Sequence, residues 1–109
     1  MAGPTPPEWY QSLSERHAKV FDGLDNLGKL LKDAGPLDDK TAHLIQLASA
    51  ATLRSEGAVH SHVRRALDAG ATAEEIEHAL ILLTTTAGFP NVSAALSWMH
   101  DVTEGKRKD

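Results

Sequence analysis

Sixteen alanines and fourteen leucines stand against five valines and three isoleucines, and this ratio constrains the fold more than any other feature of the chain. Ala and Leu lead the scale of helix propensity, whereas β-branched residues favour strands. No segment carries the strict apolar–polar alternation of a half-buried strand. The sequence therefore predicts an all-α fold, a compact domain of five or six helices. Its 109 residues suffice for one domain and are too few for two. With only 5% aromatic residues, an Ala/Leu core buries less area per residue than an aromatic one. A small domain built this way is expected to lean on partner subunits.

Start and stop signals divide the chain. Residues 1–6 are Pro-rich and are expected to be disordered, residues 7–104 form the single helical domain, and residues 105–109 form a charged tail. The first helix is expected from Pro7 or Glu8 to about Asp33. Its stripe of Leu13, His17, Val20, Leu24, Leu27 and Leu31 steps by three and four, close to a heptad, and predicts a helix lying along it. Gly35-Pro36 ends it. A second helix starts at Asp38 or Asp39, which suit an N-cap, and runs to about Arg54. Apolar residues circle most of it, so it is expected to be central. A short break at Ser55–Gly57 precedes a third helix that ends at Gly70. Thr72-Ala73-Glu74-Glu75 reads as a capping box opening a fourth helix. Gly88 closes the fourth, and Pro90 fits the first turn of a fifth.

Several function classes fall away on composition. There is no cysteine, so disulfides, zinc–thiolate sites, iron–sulfur clusters and cysteine nucleophiles are excluded. The balance of 11 basic and 15 acidic residues leaves a net charge of -4, without the basic face that nucleic-acid binding requires. Lys106-Arg107-Lys108 reads as part of a solvated tail. No apolar run reaches the roughly 18–20 residues of a membrane helix, and no signal peptide is visible. Neither nucleic acid nor membrane is expected as a partner, and a cytoplasmic location is expected.

Six histidines is a high count, and histidine is the side chain whose ordinary pKa suits chemistry near neutral pH. On the third helix, Val59, Val63, Ala66 and Leu67 form the buried face. At about 100° per residue, His62 and His60 fall on opposite flanks of it and diverge by roughly 200°. One metal ion is not expected to take both. His60 reads as a surface partner of Glu56, four residues earlier, and His78 as a surface partner of Glu74. His62 and His43 lie at core edges, bonded there to a carbonyl or hydroxyl or else facing a ligand. The hydroxyls of Thr84, Thr85 and Thr86, in a weakened last turn, either bond back to carbonyls or wall a pocket. Convergence of His43 and His62 on a metal is a further alternative if their helices pack antiparallel. Too few ligands accompany them, and neither a metal nor a cofactor is expected.

The segment Ser61-His62-Val63-Arg64-Arg65-Ala66-Leu67-Asp68-Ala69-Gly70 resembles a helix of the carboxymuconolactone decarboxylase family, which reads roughly S-H-[IV]-R-x-A-L-x-x-G. Ala71-Thr72-Ala73-Glu74-Glu75-Ile76 is similar to the family's G-x-T-x-E-E-I, and Ala87-Gly88-Phe89-Pro90 to its A/Y-G-x-P turn. Leu37-Asp38-Asp39-Lys40-Thr41 and the apolar helix after it resemble L-D-x-K-T-x-E-L-I-x-L. The resemblance covers about residues 35–103. It implies an alkylhydroperoxidase D-like fold and a homo-oligomer, a trimer or hexamer. The peroxidase branch of that family uses an acidic residue, a C-x-x-C pair and a histidine. Aligned on His62, these positions hold His43, Ser55 and Ala58, so only the histidine matches. The peroxidase mechanism needs an attacking thiolate and a resolving thiol, and is therefore excluded.

What the resemblance leaves is decarboxylase-like, acid–base chemistry on a small carboxylated or lactone-like metabolite. His62 is the expected general acid/base. Arg65, on the His62 flank of the helix, is the better placed arginine to hold a carboxylate. His43, Ser55 and the Thr84–Thr86 hydroxyls are expected to line the pocket. The alternative is a non-catalytic ligand-binding or assembly protein on the same scaffold.

Overall fold

The helix expected over residues 7–33 is two helices in the computed structural model, which describes residues 6–105. Helix α1 spans Glu8–Arg16 and α2 spans Ala18–Asp33. His17 breaks the run, with φ −126° and ψ 45°. Aromatic contact explains the bend. Tyr10 meets Phe21 edge to face with ring centroids 5.4 Å apart, and Trp9 meets Tyr10 at 5.7 Å. In a straight helix, residues eleven apart would be separated by about 16 Å along the axis. The apolar stripe predicts the helical conformation and gives no sign of this fold-back. The disordered start and charged tail expected from sequence fall largely on residues 1–5 and 106–109, outside the described residues.

Four further helices follow: α3 (Asp39–Thr52), α4 (Glu56–Asp68), α5 (Ala73–Ile81) and α6 (Phe89–Thr103). The described residues contain no strand, as the composition predicts. The Asp38 carboxylate accepts from the Thr41 amide at 2.8 Å and caps α3. The Thr72–Glu75 capping box forms in both directions, at 3.0 Å and 2.9 Å. The threonine-rich end of α5 tightens into a 3-10 turn over Leu82–Thr85, where Thr84 and Thr86 donate to the carbonyls of Ile81 and Leu83.

The α3–α4 connection is short because Arg54 takes a left-handed conformation, φ 55°. The amides of Arg54 and Ser55 then reach back to the carbonyls of Ala51 and Ala50, closing the end of α3. A non-glycine residue there costs about 1 kcal/mol, and the Arg54 guanidinium donates to Asn91 Oδ1 at 2.7 Å, tying the turn to α6. Gly70 closes α4 by the same pattern without that penalty, φ 100°.

Helices α3, α4, α5 and α6 enclose one core of Leu47, Val59, Val63, Ala66, Ile76, Leu80, Ala95 and Val102, with Val92 also buried. Helix α3 packs on α4, α5 and α6, as expected of a central helix, although Ile45 on it is exposed. The α1–α2 arm is different. It buries no residue, its two helices pack chiefly on each other, and Val20, Leu24, Leu27 and Leu31 of the stripe are all at least half exposed.

Candidate functional site

Helices α3 and α4 run back along one another from the tight turn at residues 53–55, and this brings His43 and His62 together. The ring centroids are 5.8 Å apart, tilted by 41°. His43 is buried and His62 partly so. Neither ring nitrogen Nδ1 has a hydrogen-bond partner among the described residues, although both atoms are buried. Buried Gln46 Oε1, one turn along α3 on the His43 face, also lacks one. Buried polar atoms are almost always satisfied in folded proteins. Three such atoms, His43 Nδ1, His62 Nδ1 and Gln46 Oε1, stand on adjoining helix faces without a partner among the described residues.

The electrostatics favour uncharged rings. Burial is the main cause that pushes His62 down to about 4, followed by the positive charge of Arg65, then His43 and Lys32. His43 is lowered for the same leading reason, with Lys32 and Arg65 adding to it and Asp39 opposing. Near pH 7 the site therefore holds two neutral imidazoles, each with one donor and one acceptor nitrogen, in the positive field of Lys32 and Arg65. Such an arrangement suits an anion with hydrogen-bonding oxygens.

The structure thus unites three residues singled out from sequence: His43, His62 and Arg65. Ser55 caps the start of α4, is exposed, and its side chain makes no capping bond. Thr84, Thr85 and Thr86 are exposed beside α5 and α6, and Thr84 and Thr86 bond back to carbonyls. Sequence reasoning missed Lys32 and Gln46. The spacing of Gln46 three residues after His43 is a signal that the periodicity carries, whereas nothing local connects Lys32 to the site.

His60 is a correction. The spacing predicts a surface histidine beside Glu56; Glu56 is its neighbour, but the side chain is 4% exposed rather than on the surface, and its Nε2 lies 3.0 Å from Asp101 Oδ2 on α6. The wheel separates His60 from His62 correctly, but the His60 flank is covered by α6, which packs against α4. Glu56, His60 and Asp101 place one potential ligand atom each within 4.8 Å of one another. His78 and His100 are exposed, and His17 is the break between α1 and α2.

A sequence model of the carboxymuconolactone decarboxylase family matches residues 18–101. Over 102 residues the chain is 29% identical to "Uncharacterized protein MJ1511" of Methanocaldococcus jannaschii, a similarity covering 94% of this chain and 95% of that protein. No solved structure matches.

Proposed function

The chain belongs to the carboxymuconolactone decarboxylase family, and from that premise we propose that it is a lyase-type, acid–base catalyst acting on a small carboxylated or lactone-like metabolite at the His43–His62 pair. The observation that carries this reading is the pair of buried Nδ1 atoms without partners, on rings 5.8 Å apart. Thiol peroxide chemistry is excluded because the chain has no cysteine.

The chemistry follows from the charges. In the free protein, burial and two cations keep His62 neutral. An arriving carboxylate offsets Arg65 and Lys32, and its negative charge favours imidazolium. His62 takes up a proton as the substrate binds. When the bond to the carboxyl carbon breaks, carbon dioxide leaves and the electron pair stays on the substrate carbon. His62 delivers the proton to that carbon. His43 and Gln46 supply hydrogen bonds that fix the orientation, and Arg65 holds the carboxylate before it leaves.

The test is calorimetric titration with a small carboxylated lactone in buffers of different ionisation heat. Binding is expected to take up a fraction of a proton. Arg65→Ala is expected to weaken binding about tenfold, in the range of one charge-assisted hydrogen bond. Binding without proton uptake, and equally tight in Arg65→Ala, would contradict the assignment.

The exposed stripe on α2 supports a second part of the reading, that the working form is a homo-oligomer, a trimer or hexamer. Val20, Leu24, Leu27 and Leu31 present a contiguous apolar face that the described chain leaves uncovered, and a second copy supplies the helix that this heptad-like spacing fits. Light scattering at micromolar concentration is expected to give a multiple of 11.7 kDa, and a monodisperse monomer would refute it. Among the described residues no helix is long and apolar enough to cross a membrane.

A further inference from the structure

We propose that Glu56, His60 and Asp101 form a binding site for one divalent transition-metal ion, of the zinc or manganese class, on the side of α4 away from the His43–His62 pair. Glu56 and His60 stand one turn apart on α4, and the i, i+4 spacing puts both side chains on one face. Helix α6 packs over that face and brings Asp101 to it. His60 Nε2 and Asp101 Oδ2 are 3.0 Å apart, a hydrogen bond in the metal-free chain whose proton a bound ion replaces, and the separation is close to the roughly 3.3 Å between two ligands of a tetrahedral zinc ion. The remaining distances to the Glu56 carboxylate lie within 4.8 Å. Glutamate has three side-chain torsions, and metal binding requires rotation about them to bring the carboxylate to ligand distance.

The donor set selects the ion. One imidazole and two carboxylates are borderline-to-hard ligands, suited to zinc, manganese or iron(II) rather than to a soft copper(I) ion. Three protein ligands leave coordination positions for water, the arrangement of an open rather than a closed structural site. Burial supports the placement. The imidazole is 4% exposed and Asp101 30% exposed, so the ligating nitrogen is fixed by the core while the carboxylate side remains reachable from solvent. The i, i+4 spacing and the α4–α6 contact together make the cluster independent of the site proposed for catalysis.

The test uses the full chain, purified without a histidine tag, stripped with chelator and titrated with zinc or manganese chloride. One equivalent is expected to bind with micromolar or tighter affinity and to raise Tm in proportion to the logarithm of free metal. Glu56→Gln and Asp101→Asn keep volume and remove a ligand charge. Each is expected to weaken binding by at least about tenfold. His43→Gln is expected to leave metal binding unaltered. Should Asp101→Asn fail to fold, Glu56→Gln decides alone, since its side chain lies at the start of α4. No binding below millimolar metal would overturn the proposal. So would binding that survives Glu56→Gln, or binding lost in His43→Gln, which would place the ion on the other histidine pair.

Discussion

His60→Ala is expected to lower stability by about 2–4 kcal/mol, a fall in Tm of roughly 10–20 °C for a domain of this size. Two losses combine. The side chain is 4% exposed, so truncation leaves a cavity. Asp101, 30% exposed, also loses the His60 partner at 3.0 Å. An exposed pair with Glu56 would be worth only a few tenths of a kcal/mol. His62→Ala makes the comparison. No hydrogen bond to its Nδ1 is lost, and on a partly exposed flank its truncation is expected to cost under about 1 kcal/mol. Urea unfolding of both variants beside wild type measures the difference. Equal, small losses would show that His60 is not bound into the α4–α6 interface.

Acidification is expected to destabilise the fold between pH 6.5 and 4, before most carboxylates are protonated. The folded chain binds a proton at His62 only near pH 4, whereas the unfolded chain binds it near 6.5. Between those values the unfolded state carries more protons, so stability is complete above about pH 6.5 and drains as pH falls toward 4. The gap caps the loss at about 3 kcal/mol. Solvent screening of a partly exposed ring brings the expected loss to about 1–2 kcal/mol. His43 is shifted in the same direction and adds to it. Asp38 and Glu75 are lowered chiefly by hydrogen bonds from Thr41 and Thr72, so stability tied to them is lost only as pH falls further. Thermal unfolding from pH 7.5 to 4 checks the window, and His62→Gln is expected to flatten it.

Much of the fold was legible because the signals are local. The Asp38 cap, the Thr72–Glu75 box, Gly70 and the Gly88–Pro90 turn each act within a few residues and mark helix boundaries close to where they are found, but the helix expected to run to Gly88 ends at Ile81, where the threonine-rich stretch tightens into a 3-10 turn. The break at His17 was not legible, because its cause is contact between rings eleven positions apart. The site divides in the same way. The wheel places His62 on a flank of α4, and the family pattern points to His62 and His43. What covers each flank is decided by other helices. Helix α6 turns an apparent surface histidine into a buried one, and α2 brings the Lys32 charge toward rings that no local spacing associates with it.

A neutral imidazole pair held in a positive field is tested most directly by an NMR titration of the His43 and His62 rings from pH 8 to 3.5. His62 is expected to show no protonation step through pH 6.5 while the chain is folded and to titrate near pH 4. A His62 ring that protonates at the ordinary value of about 6.5, with the fold intact, would contradict it.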